Sequence, residues 1–86
     1  MSHLMRVQIK PFARESLIEV LKSLSIKNVS VKDTMLYISE SEHGCEPRIE
    51  ADFIVGDFQA GEIAATLREK FKRHDLRLLS FQVNIL

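Results

Sequence analysis

From Met5 to Pro11 the side chains alternate, with Met5, Val7 and Ile9 on one side of an extended chain and Arg6, Gln8 and Lys10 on the other. That is the period of a half-buried strand, and Pro11 ends it. Downstream, Leu17, Val20, Leu21 and Leu24 recur at three- and four-residue steps, which predicts a helix over residues 13 to 25 with one apolar stripe. Glu15, Glu19 and Lys22 take its wet side. Val29, Val31, Met35 and Tyr37 predict a second strand over 29 to 39, with Lys32 and Asp33 as the place for a bulge or turn. A loop over 40 to 47 follows. Ile49, Ala51, Phe53 and Val55 alternate against Arg48, Glu50, Asp52 and Ile54 in a third strand, closed by a turn and helix N-cap at Gly56 and Asp57. The second helix carries the stripe Ala60, Ile63, Ala64, Leu67 and Phe71. Its acid Glu62 lies early and its bases Lys70, Lys72 and Arg73 lie late, which complements the helix dipole. Leu79, Phe81, Val83 and Ile85 against Ser80, Gln82 and Asn84 predict a fourth strand.

The order strand, helix, strand, strand, helix, strand predicts an α+β fold: a two-layer ferredoxin-like plait, βαββαβ, with a four-stranded antiparallel sheet and both helices on one face. In that plait the first and third strands are central neighbours. Arg6 and Lys10 are therefore expected to face Glu50 and Asp52 across the open side, each opposite pair stabilising the sheet by about 0.2 to 1 kcal/mol.

Composition narrows the picture. The chain has 86 residues, 12 Lys and Arg against 12 Asp and Glu, and 45% apolar side chains. One domain over 1–86 is expected, too short for a two-domain enzyme and with little depth for an enclosed active site, so oligomers are expected. A zero net charge argues against a dedicated nucleic-acid or anionic-membrane binder. Cys45 is the lone cysteine, so no intramolecular disulfide forms and a reducing cytoplasm fits. The first ten residues lack the apolar run of a signal peptide, and no stretch reaches the length of a membrane-spanning helix.

Candidate chemistry is sparse. Plait domains that bind RNA stack bases on aromatic residues of the open face, whereas Arg48-Ile49-Glu50-Ala51-Asp52-Phe53 turns acids outward and Phe53 inward. A basic cluster, Arg68, Lys70, Lys72, Arg73 and Arg77 against Glu69 and Asp75, is the alternative nucleic-acid contact beside a reading as a solvated helix end. Residues 40 to 62 hold seven acids against Arg48 alone, so the molecule is neutral but dipolar. His43 and Cys45 sit two apart, yet His3 and His74 are the remaining histidines and the spacing of a zinc site is missing. No metal, cofactor or catalytic residue is assigned. By parity Leu36, Ile38 and Ile54 fall on the open face, where an apolar patch beside an edge strand suits a protein partner or a second copy.

The segment Val7-Gln8-Ile9-Lys10-Pro11-Phe12, with Glu46-Pro47 much later, resembles the exchange-factor domain of translation elongation factor 1B, itself a plait of about this size. The resemblance covers a few residues and lacks that family's Phe-Gly or Tyr-Gly element before the third strand, so no functional residue is carried over. The expectation is a non-enzymatic protein-interaction or regulatory module, with a homodimer through the open face or edge strand as one form it can take. A nucleic-acid binder and a translation-factor-like exchange domain are the alternatives.

Overall fold

A computed structural model describes residues 2–37 and 44–83. Strand β1 (Ser2–Ile9) leads through a 3-10 turn (Pro11–Ala13) into helix α1 (Arg14–Ser23). Then come β2 (Ser30–Tyr37), β3 (Cys45–Gly56), helix α2 (Asp57–Lys70) and β4 (Arg77–Val83). The sheet order is β2-β3-β1-β4 and each described pairing is antiparallel. This is the expected βαββαβ plait.

One face of the sheet supplies the core. Met5, Val7 and Ile9 of β1 and Ile49, Ala51, Phe53 and Val55 of β3 pack against Leu17 and Leu21 of α1 and Ala60, Ile63 and Leu67 of α2, with Phe71 just beyond it. Two-residue alternation in the strands and helical spacing in α1 and α2 bring these side chains into one layer. α1 ends in a Schellman arrangement: the Ser25 amide donates to Lys22 O (3.0 Å) and the Ile26 amide to Leu21 O (3.2 Å), with Ser25 at φ 60°. A left-handed serine there has no signature in the hydropathy pattern.

Several expectations need correction. β2 pairs with β3 without interruption from Ser30↔Asp52 to Tyr37↔Cys45, so there is no bulge at Lys32 and Asp33. β3 begins at Cys45, inside the expected loop, because the hairpin ladder continues through Pro47 opposite Met35. Asp57 is the first helical residue and Gly56 the N-cap; the Gly56 amide donates to Gln59 Oε1 at 3.4 Å. The pattern of β4 taken alone predicts Leu79, Phe81 and Val83 inward. Instead Ser80 and Leu78 stand opposite the buried Met5 and Val7, while Leu79 and Phe81 stand opposite Arg6 and Leu4 on the open face. Directly paired residues share a face, so the register with β1 overrides β4's own composition. Ile85 lies outside the described residues.

Candidate functional site

The uncovered face of the sheet has two zones. Its middle is polar. Arg6 Nε and Nη2 donate to the two carboxylate oxygens of Asp52 at 2.9 and 3.0 Å, and Gln8 Nε2 donates to Glu50 Oε1 at 2.8 Å. Lys32 Nζ reaches the other Glu50 oxygen at 3.0 Å. Burial alone would raise the Glu50 carboxyl; the hydrogen bonds from Gln8 and Lys32, with the charges of Arg6 and Lys32, outweigh it and hold the group below its ordinary value. Asp52 in turn raises the Arg6 guanidinium, through their hydrogen bonds first and its charge second. The expected Arg6 pairing is present. Lys10, past the end of β1, takes no part; Gln8 and Lys32 occupy the place expected for it.

Toward the start of β1 the same face turns apolar. Leu4 stands between Ile54 of β3 and Phe81 of β4, a three-strand row, with Leu79 and Val83 beside it on β4. Ile54, Leu79 and Phe81 remain 51, 43 and 44% exposed. Isolated exposed apolar residues are ordinary, whereas a row across three adjacent strands on a helix-free face is a candidate contact surface. Sequence parity identifies Ile54 and misses Leu4, Leu79 and Phe81.

Of Leu36, Ile38 and Ile54, expected together as a partner surface, Leu36 and Ile54 do not share one patch. Leu36 also stays on the open face, because β2 has no bulge to turn it. It pairs with Glu46, and residues 46 to 54 of β3 span roughly 26 Å of strand. Ile38 lies outside the described residues. Leu36 instead belongs to the β2–β3 hairpin arm, which also exposes Met35 and Tyr37 (61 and 71%).

β3 outruns its neighbours at both ends. At its start, residues 45–48 extend past β1, and there Arg48, which parity places on the open face, is 2% exposed. Arg48 Nη1 donates to Asp75 O at 2.9 Å, and Nη2 contacts Asp75 Oδ2 at 2.5 Å and Glu46 Oε1 at 3.1 Å. The guanidinium holds the Asp75 carboxyl below its ordinary value, by hydrogen bond first and charge second. Arg48 Nε is buried with no partner among the described residues. At its other end β3 runs on from Phe53 to Gly56 past the start of β2. A groove of about 530 Å³ opens there, lined by Leu4, Leu24, Ile26, Phe53, Ile54 and Ile63 among others.

The remaining candidates are separate from this face. Arg68, Lys70, Lys72, Arg73 and Arg77 are all exposed, and Lys72 pairs with Glu69 at 3.2 Å. His74 contacts both Phe12 and Phe71, tilted 46° to the first and edge-on to the second, with ring centroids 5.7 Å from each. His3 bridges Asp57 Oδ1 (2.6 Å from Nε2) and Ser80 Oγ (3.2 Å from Nδ1), tying β1 to the start of α2 and to β4. Those are the residue types of a nucleophilic triad, but neither His3 nor Ser80 lines the groove described above. Cys45 is exposed and free, and His43 lies outside the described residues. Among the described residues no three His, Cys, Asp or Glu side chains come together as metal ligands, and no helix is long and apolar enough to cross a membrane.

No protein-family model and no curated protein matches the chain. Solved structures do. A DUF3240 family protein from Shewanella baltica OS155 superposes with TM-score 0.81 at 12% identity, over 99% of this chain and 96% of the other. A putative PII-like signaling protein from Thermus thermophilus gives 0.76 at 19% identity, over 95 and 86%. Arabidopsis thaliana PII bound to citrate gives 0.77 at 14%, over 96 and 75%. At such identities the likeness is one of fold: this chain has the ferredoxin-like plait found in PII-like signalling proteins.

Proposed function

We propose that the chain is a non-enzymatic regulatory module that self-associates through the apolar end of its open sheet face and meets a protein partner through its β2–β3 arm. The observation that carries this reading is the row Ile54–Leu4–Phe81, with Leu79 beside it, half-exposed on a face no helix covers. Each side chain in the row has substantial apolar area still in water, and association removes it at about 25 cal/mol per Å² before the costs of association. The polar middle of the face is internally paired, so it sets register without strong attraction of its own. Leu36, with Met35 and Tyr37 on the arm and Ile38 beyond the described residues, is the partner contact. The fold shared with PII-like signalling proteins supports a regulatory role.

Light-scattering mass tests the self-association. The chain is expected at an integral multiple of its monomer mass, falling to the monomer in Ile54→Asp and Phe81→Asp with unchanged circular dichroism. A wild-type chain that stays monomeric into the hundreds of micromolar overturns the reading.

A further inference from the structure

We propose that the apolar cleft between helix α1 and strand β2 binds a small amphipathic anion, a straight-chain carboxylate of roughly eight carbons, its tail along Ile18 and Val31 and its carboxylate at Lys22 and Lys27. The site lies on the helix side of the sheet and is independent of the self-association proposed above.

The local sequence shapes the cleft. β1 and β2 both run antiparallel to β3, so they are parallel to each other and α1 runs back between them. The last turn of α1, with Leu21 and Lys22, therefore lies by the start of β2, and Ile18 lies farther along it. Val31 stands opposite the buried Ala51 on the helix side, and Val29, two residues earlier, also packs against the core. Leu21 is buried in that core, whereas Ile18 is half-buried without joining it. Ile18, Leu21, Val29 and Val31, with Ile26 of the turn between helix and strand, enclose a cleft of about 230 Å³. An apolar cavity of about 150 Å³ holds benzene, so this one takes roughly eight carbons.

Charge selects the head group. Lys22 and Lys27 line the same cleft yet remain exposed, the arrangement in which an aliphatic stem covers an apolar wall and the ammonium stays in water. Neither side chain has an ion pair or hydrogen bond among the described residues. Glu15 and Glu19 of α1 and Asp33 of β2 all lie outside the lining, which contains no carboxylate. A helix C-terminus ordinarily disfavours an anion. Here its carbonyls already have donors: Val20 O accepts from the Leu24 amide (3.1 Å) and the Ser23 hydroxyl (2.7 Å), Leu21 O from the Ile26 amide and Lys22 O from the Ser25 amide. Two cations over an apolar floor therefore complement a ligand with one charged end and one apolar end.

Methyl-resolved NMR titration of the full chain with octanoate, octanol and acetate tests this, because the three separate tail from charge. Octanoate is expected to saturate with a dissociation constant on the order of 1 mM or below, shifting the methyls of Ile18, Leu21, Val29 and Val31, while acetate does not saturate in that range. Lys22→Gln combined with Lys27→Gln is expected to weaken octanoate by about fivefold or more and to leave octanol within about twofold, with unchanged circular dichroism. Octanoate that fails to saturate, that binds the double variant as well as the wild type, or that shifts chiefly the methyls of Leu4 and Ile54 on the open face overturns the proposal. So does movement of the cleft methyls with protein concentration alone, which assigns the cleft to a second copy. Tighter binding of an acetylated leucine–glutamate dipeptide than of octanoate overturns it in favour of an acidic peptide.

Discussion

The two ends of β3 face the same backbone problem and solve it differently. Each outruns a neighbour, residues 45–48 passing β1 and residues 53–56 passing β2. An unaccompanied strand is a template for pairing with other chains unless something blocks it. The first end is blocked. Pro47 has no amide to donate, and the Arg48 side chain is folded under the α2–β4 turn onto Asp75. The second end has Phe53, Ile54, Val55 and Gly56, with neither a proline nor a charge. One chain thus carries both a guarded edge and an unguarded one, and the unguarded one adjoins the exposed apolar row. The proposed self-association is therefore expected at the unguarded end and not at the guarded one.

The largest effect is expected at the guarded end. Arg48→Ala removes a buried guanidinium and the anchor of the turn at Asp75. Breaking a buried ion pair usually costs about 3–5 kcal/mol; here Glu46 and Asp75 keep 31 and 62% exposure and can rehydrate, so a loss of about 3 kcal/mol is expected in urea denaturation. An unchanged midpoint would show that the turn holds without Arg48. Acid probes the same contact. Asp75 and Glu50 are both held below their ordinary values of 3.8 and 4.5. Their contribution is therefore present above those values and is lost as pH falls through the lowered ones. Denaturation midpoints between pH 6 and pH 3 should fall for the wild type, and fall less for Arg48→Ala, which has no Asp75 partner left to lose.

At the unguarded end the expected change is in association rather than stability. Ile54→Asp combined with Phe81→Asp places charge on two half-exposed positions, and the dissociation constant for self-association should rise at least 100-fold, about 2.7 kcal/mol. Leu36→Asp, roughly 26 Å along β3, should leave that constant within about threefold. Sedimentation over a concentration series separates the two. Equal weakening by both would mean that the arm, too, lies in the contact between copies.

How much of this is readable from the sequence depends on the range of the interactions involved. The plait is readable because Met5-Val7-Ile9, Ile49-Ala51-Phe53-Val55 and the stripe of α2 each carry their period locally. The inward face of β4 is not, since Leu79 and Phe81 are more apolar than Ser80 and Gln82, and only the ladder with β1 turns them outward. Arg48 reads as one more outward charge in β3; its partner Asp75 lies in the turn after α2, and no periodicity links the two. The apolar row draws on three strands, so Ile54 alone is visible from its own strand. The open edge comes from the register of the hairpin: β2 starts at Ser30, opposite Asp52, while β3 runs on to Gly56, and no pattern within either strand states that offset.

The finest contrast lies in two turns that both use the left-handed region without glycine, Ser25 at φ 60° by the unguarded edge and Asp75 at φ 53° by the guarded one. A non-glycine residue there carries roughly 1–2 kcal/mol of backbone strain. Ser25→Gly relieves it but adds about 0.4–1 kcal/mol of conformational freedom to the unfolded chain, so a net gain of about 0.5 kcal/mol is expected. Asp75→Gly gets the same relief and loses the carboxylate that meets Arg48, whose second nitrogen is then left with Glu46 alone among the described residues. A hydrogen bond to a charged group is worth about 1.5–3 kcal/mol, discounted here by the 62% exposure of Asp75, so this variant should lose about 1 kcal/mol net. Opposite signs for the same substitution, measured side by side in urea, would show that the aspartate is kept for its partner and the serine only for the shape of the turn. A gain in both would mean that Arg48 is held by burial and by the Asp75 carbonyl, and that its carboxylate contact contributes little.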